Sequence, residues 1–315
     1  MCAVPRLSAC LVAVLLAASC SATDNDTAAD AVQEEVAGPV VATEPAPETT
    51  ETPAPETTTA ETTVVETTET TEVAAPAEFD GPSSPEDLIG RWAHYDVVAY
   101  EDAALKTVII SYGFNDFSLD DDGALIDQAS FCASEQRTDQ AIETGLSDAA
   151  TQAIQPPPTE VAVEITDGVL SLSRPFSPTP VGIVLDDPFN ETLPTDPNDP
   201  RIVDADGDGN PGITVTIKVT DAIQGELYIA RREIFSYEAT LVSPDRIEGT
   251  VIDESEQLVI GASEPMFNVE RTDWGQHPDP AKSPLLLVRV DDSWDCDRLA
   301  AERDAIFPPS PVVDW

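Results

Sequence analysis

The residues whose spacing most clearly suits chemistry are Asp204, Asp206 and Asp208. They are carboxylates at alternate positions in Asp204-Ala205-Asp206-Gly207-Asp208-Gly209-Asn210-Pro211-Gly212. Ca²⁺ takes hard oxygen ligands at roughly 2.3–2.6 Å, so several oxygens must converge on one point. Aspartates two residues apart can supply them, Gly209 permits a sharp turn, and Asn210 can offer its backbone carbonyl. A cation here would have a structural role. The alternative is an Asp/Gly-rich turn between strands that holds no metal.

The first half of this stretch resembles an EF-hand or dockerin-type calcium loop. Its second half departs from that pattern. The position that should carry a bidentate Glu is Val215, inside a predicted strand, and no helix precedes the loop. The resemblance therefore implies a loop site completed from elsewhere, with Asp199, Asp221 or water as the remaining ligands. Other catalytic spacings are missing from the sequence. It has no Gly-x-Ser-x-Gly elbow, no His-Glu-x-x-His and no phosphate loop. Paired carboxylates could hydrolyse glycosides, but in so acidic a chain their availability singles out no pair.

The chain has 315 residues, with 60 acidic and 15 basic side chains and a formal net charge of −45. That imbalance argues against binding nucleic acid or anionic lipid head groups by charge. Two histidines, His94 and His277, are too few for most zinc sites.

The five cysteines divide by position. Cys2, Cys10 and Cys20 sit at the N-terminus, and Cys132 and Cys296 remain for the rest of the chain. Arg6, then the apolar run Leu11 to Leu16, then small residues follow the order of a secretory signal. The run is too short to span a hydrocarbon core of about 30 Å. Ala17-Ala18-Ser19-Cys20 resembles the lipobox of bacterial lipoproteins, although that family prefers Leu at the place of Ala17. The resemblance implies a signal peptide over 1–19, cleavage before Cys20 and acyl chains on Cys20. The protein would then be anchored to a membrane with its head outside the cytoplasm, in the cell envelope. Ordinary secretion is the alternative. In an exported protein the even remainder, Cys132 and Cys296, reads as one disulfide, with two separate buried thiols as the alternative.

From Ser21 to Asp80 there is no Lys or Arg, and Thr, Glu, Ala and Pro dominate. Such a segment buries too little apolar surface to offset the entropy of ordering. Residues 20–80 are thus expected to form a disordered linker, with lipidated Cys20 at its start. Residues 81–315 form the head. There, alternation predicts strands at 92–100, 105–117, 124–132, 159–165, 169–173, 213–219, 227–242, 247–260 and 285–290. Asp167-Gly168 predicts a hairpin turn. Helical spacing predicts helices over 139–154, from Ile142, Leu146, Ala150 and Ile154, and over 293–306. The expected fold class is all-β, mainly an antiparallel barrel or sandwich, with one or two short helices, a single core and a wet outer face.

At Gly90-Arg91-Trp92, where the first strand begins, the chain resembles the Gly-x-Trp motif of lipocalin-like barrels. A C-terminal helix, and a disulfide tying a mid-chain strand to that end, are similar to the same family. This resemblance implies a cavity for a small apolar ligand. The function expected is a surface-displayed, non-enzymatic module that binds a ligand or partner, or forms part of the envelope. The rival is an extracellular hydrolase using paired carboxylates. A closed cavity favours the binder, carboxylates about 5–10 Å apart in a deep cleft favour the hydrolase, and a filled core with flat faces favours a scaffold.

Overall fold

Alternation from Gly90 puts Trp92, His94, Asp96, Val98 and Tyr100 on one face of a strand, and Ala93, Tyr95, Val97 and Ala99 on the other. Both sets are buried, so this strand has cover on both sides. The computed structural model describes residues 81, 84–101, 105–268 and 275–315. The signal segment 1–19, Cys20 and the linker 20–80 lie outside the described residues.

The strands are β1 (Gly90–Glu101), β2 (Lys106–Leu119), β3 (Leu125–Thr138), β4 (Glu143–Leu146), β5 (Thr159–Thr166), β6 (Val169–Val181), β7 (Ile213–Thr220), β8 (Ile223–Ser243), β9 (Arg246–Asp253), β10 (Glu256–Ala262), β11 (Gly275–Gln276) and β12 (Pro284–Arg289). The helices are α1 (Asp148–Gln152) and α2 (Cys296–Ile306). Eight strands close on themselves in the order β1, β2, β3, β5, β6, β8, β9, β12 and back to β1, every pairing antiparallel. The fold is thus the barrel form of the expected all-β class. Closure leaves these strands no free edge.

Strand β8 is 21 residues long and serves two sheets. Its second half completes the barrel against β6 and β9, and its first half continues past the barrel to pair with β7 and β10. β4 adds to β7. The predicted single strand over 247–260 is really β9 and β10, separated by Glu254-Ser255. The Asp167-Gly168 hairpin is as expected: both residues have positive φ, 54° and 78°, the requirement of a type I′ turn.

One barrel end is plugged. A 3₁₀ turn at Pro85–Leu88 brings the Leu88 carbonyl to the Trp92 indole N–H at 2.8 Å. The Arg289 guanidinium lies over the Trp92 ring, 4.1 Å from its centroid, and donates to the Ile89 and Asp87 carbonyls. Phe117, Leu125, Leu170 and Leu287 fill the floor around Trp92.

Two expectations need correction. The outer face is not uniformly wet. Over β1, β2 and β12 it carries a second core, in which Phe307 beyond α2 stacks on Tyr95 with ring centroids 5.4 Å apart. Cys132–Cys296 is a disulfide that joins β3 to the first residue of α2, with Cα atoms 5.3 Å apart. The second correction concerns 139–154, which is not one helix. Ile142, Leu146 and Ile154 do face a common core, but through β4 paired to β7 and the single turn α1. Ser147 accepts from Ala150 N and starts that turn. Strand pairing satisfies the backbone before it, so the four-residue spacing is met without helix. The C-terminal helix begins later than expected, capped by Asp295 rather than Ser293.

Candidate functional site

The structure brings Asp204, Asp206 and Asp208 together: one carboxylate oxygen from each lies within 4.8 Å of the others. That span is about twice a Ca²⁺–O distance. The loop is pinned at its base. Ala205 N donates to the Gly212 carbonyl and Gly212 N to that of Val203, at 2.9 Å each. Gly212 has φ +87°, and a Cβ there would strike the Ile229 carbonyl, so only glycine fits. Asp204 accepts from Gly207 N and Gly209 N. Asp208 accepts from Asn210 N and the Thr214 hydroxyl. Asp206 Oδ2 accepts from Thr214 N at 3.0 Å, while Oδ1 is buried without a partner among the described residues. Burial, with Asp208 and Asp204 nearby, holds the Asp206 carboxyl above its ordinary range. These groups fit a hard divalent cation, which would give Asp206 Oδ1 the counter-charge it lacks.

The expected completing ligands are elsewhere engaged. Asp199 is clasped by Arg201 through both oxygens, at 2.9 and 3.0 Å. Asp221 is fully exposed beyond the far end of β7, beside Lys218. Asn210 stays on the loop, but its side chain donates to Asp208.

A second site lies inside the barrel, and its residues were not singled out from the sequence. Above the apolar floor runs a buried polar belt. Asp127 meets Arg174 Nε at 3.1 Å, Asn115 Nδ2 at 2.7 Å and the Tyr237 hydroxyl at 3.1 Å. All four side chains are almost fully buried. Because Asn115 gives its Nδ2 to Asp127, its Oδ1 faces His94 Nδ1 at 2.7 Å, and that nitrogen must donate. His94 Nε2 meets Asp96 Oδ2 at 2.5 Å. The ring is held between Asn115 and Asp96, an arrangement that favours its charged form. Burial works against that charge, but Asp96 and Asn115 outweigh it and raise the His94 pKa above 6.5.

Beyond the belt, at the end away from Trp92, is a cavity of about 80 Å³. Val98, Ile109, Phe131, Phe235 and Val251 give it an apolar wall, and Leu146, Thr151 and Ile154 from β4 and the α1 region roof it. Ser134 and Thr151 share a hydrogen bond at 3.1 Å that ties this roof to β3. On the polar side are Asp96, Ser111, Arg231, Glu233 and Asp253. Arg231 Nε pairs with Glu233 at 2.7 Å. The Ser255 hydroxyl lies between Glu233 and Asp253, and Tyr100 donates to Asp253. Burial chiefly, with Asp253 adding, raises the Glu233 carboxyl, against the pull of Arg231.

One sequence signal could have found this site. Once Trp92 is assigned to the interior, strand parity forces His94 and Asp96 inward as well. Among the described residues, no helix is long and apolar enough to cross a membrane. Comparison with protein-family models, with curated proteins and with solved structures gives no match to this chain.

Proposed function

We propose that the chain is an exported lipoprotein, anchored through Cys20, whose barrel is a non-enzymatic module that holds a small ligand. The observation that carries the ligand reading is the interior cavity. An eight-stranded closed barrel has room to be filled by side chains or to hold one small ligand, and here one end is packed while the other is left open inside. We read the barrel as one of the lipocalin-like kind. In support stand the uninterrupted antiparallel order, Trp92 beneath Arg289 at the plugged end, and α2 tied back by a disulfide. The anchor rests on Arg6, the apolar run and Ala17-Ala18-Ser19-Cys20. The Asp204–Gly212 loop is proposed as a structural Ca²⁺ site on the sheet that adjoins the barrel, carried by the convergence of the three carboxylates.

The hydrolase reading has one observation in its favour, the meeting of Glu233 and Asp253 at Ser255 beside the cavity. A raised acid next to a second carboxylate suits acid–base work. A cavity of about 80 Å³ leaves no room for a sugar ring and its attacking water, so the binder is favoured.

Two experiments test the reading. Native mass spectrometry of the full chain, isolated from its own membrane, should find a small molecule that leaves on unfolding. Val98→Phe, which fills the cavity, should carry none. A wild-type barrel that never carries such a molecule counts against the binder. For the anchor, Cys20→Ser should release the chain from membranes or block its processing. A variant retained after an alkaline wash would contradict lipidation.

A further inference from the structure

The following inference rests on the reading of the barrel interior as a ligand site and concerns what that site accepts. Asp96 is about nine-tenths buried and lines the cavity. Its Oδ2 is taken by His94, and among the described residues no hydrogen bond reaches its Oδ1. Ser111 is the cross-strand partner of Asp96 and lines the same cavity. Among the described residues its hydroxyl likewise has no hydrogen-bond partner. An acceptor and a hydroxyl thus stand side by side on the polar side of the cavity, facing its apolar wall. A ligand that supplies a donor can pair with that oxygen in place of water.

Charge and size narrow the class further. His94 is held by Asp96, Arg174 by Asp127 and Arg231 by Glu233, so each of these interior basic groups already has its carboxylate. A ligand with a net charge would have to enter a low-dielectric interior and pull against these pairs. Below the cavity, the Arg174–Asp127 belt and the Trp92 floor block any longer chain. The volume, about 80 Å³, is roughly half that of an engineered cavity that admits benzene.

We propose that the cavity selects a compact, uncharged molecule of about five non-hydrogen atoms with an apolar body and one O–H or N–H donor, which it gives to Asp96 Oδ1 beside Ser111. Short-chain alcohols and primary amides belong to this class. Long acyl chains do not.

The test uses the full chain, with Cys20→Ser to keep lipid out of the sample, and reads chemical shifts of cavity residues by NMR titration. The probes are butan-1-ol, its donor-free isomer 1-methoxypropane, propylammonium, propanoate and palmitate. Butan-1-ol should shift residues around Asp96, Ser111 and Phe235 and bind at least tenfold more tightly than 1-methoxypropane. Ser111→Ala should weaken butan-1-ol several-fold and leave 1-methoxypropane unchanged. Equal binding of the two neutral probes would overturn the donor requirement while leaving the ligand reading intact. Tighter binding of either ion, or palmitate inside the barrel, would overturn the class in the same way. If no probe perturbs the cavity, the ligand reading itself fails.

Discussion

Removing the Cys132–Cys296 bridge is the sharpest stability test of the fold. The bridge spans 164 residues of sequence. On the chain-entropy model, closing a loop of that length in the unfolded state is worth about 5 kcal/mol at 25 °C. Little of this should come from native contacts. Cys132 sits at a bulge, where Tyr112 pairs with Ala133 and Gly113 with Phe131, so no ladder partner is lost. α2 keeps other ties: Arg303 to Glu135 at 2.7 Å, Arg91 to the Trp294 carbonyl at 2.7 Å, and Phe307 on Tyr95. Replacing both cysteines by Ala should therefore leave the native spectrum unchanged and lower stability by about 3–5 kcal/mol, the lower end allowing for residual structure in the unfolded chain. With a urea m-value of about 2–3 kcal/mol/M, the midpoint falls by roughly 1–2 M. The assay is urea unfolding of the full chain followed by tryptophan fluorescence. A midpoint shift under about 0.3 M would refute the reasoning, since the bridge would then constrain nothing that unfolding releases.

Other expectations concern the interior and the loop. Arg174→Met strands Asp127 without its cation and removes a guanidinium 4.3 Å from the Phe235 ring centroid; urea unfolding should show a loss of about 3–5 kcal/mol, and a loss below about 1 kcal/mol would mean the belt is solvated. Because the His94 pKa is raised in the folded state, its stabilisation is complete below 6.5 and fades as pH rises through the folded value. The stability difference between wild type and His94→Gln should therefore shrink toward alkaline pH, and a difference that grows there would reverse the proton assignment. For the loop, Ca²⁺ at ten times its dissociation constant should add about 1.4 kcal/mol; thermal midpoints that do not differ with calcium or chelator, in wild type or Asp206→Ala, would make the loop a turn only.

Much of the barrel was legible because strands with a covered inner face advertise their period. Thr159 to Ile165, Asp167-Gly168 and Ile213 to Val219 fell where alternation and turn chemistry put them. The disulfide followed from cysteine arithmetic alone. The segment 139–154 misled because a β4 strand followed by a single turn can present Ile142, Leu146 and Ile154 to one core as well as a helix can. Cover on both faces of β1 depended on α2 and the tail reaching back across the chain, a long-range contact with no local signature. The interior belt was hidden for another reason. His94, Asp96, Asn115, Asp127 and Arg174 read as solvent-facing by type; the parity set by Trp92 turns only His94 and Asp96 inward, and the other three follow from how β2, β3 and β6 pair around the barrel. Each offsets its burial with a partner on another strand or, for His94 and Asp96, two positions away on the same one.

Whether the barrel interior is a ligand site is decided by a crystal structure of the full chain grown with butan-1-ol. Electron density for one compact molecule is expected between Phe131 and Phe235, with its hydroxyl within hydrogen-bond distance of Asp96 Oδ1. A space filled by inward rotation of Phe235 or Ile154, or alcohol bound only on the outer surface, would contradict it.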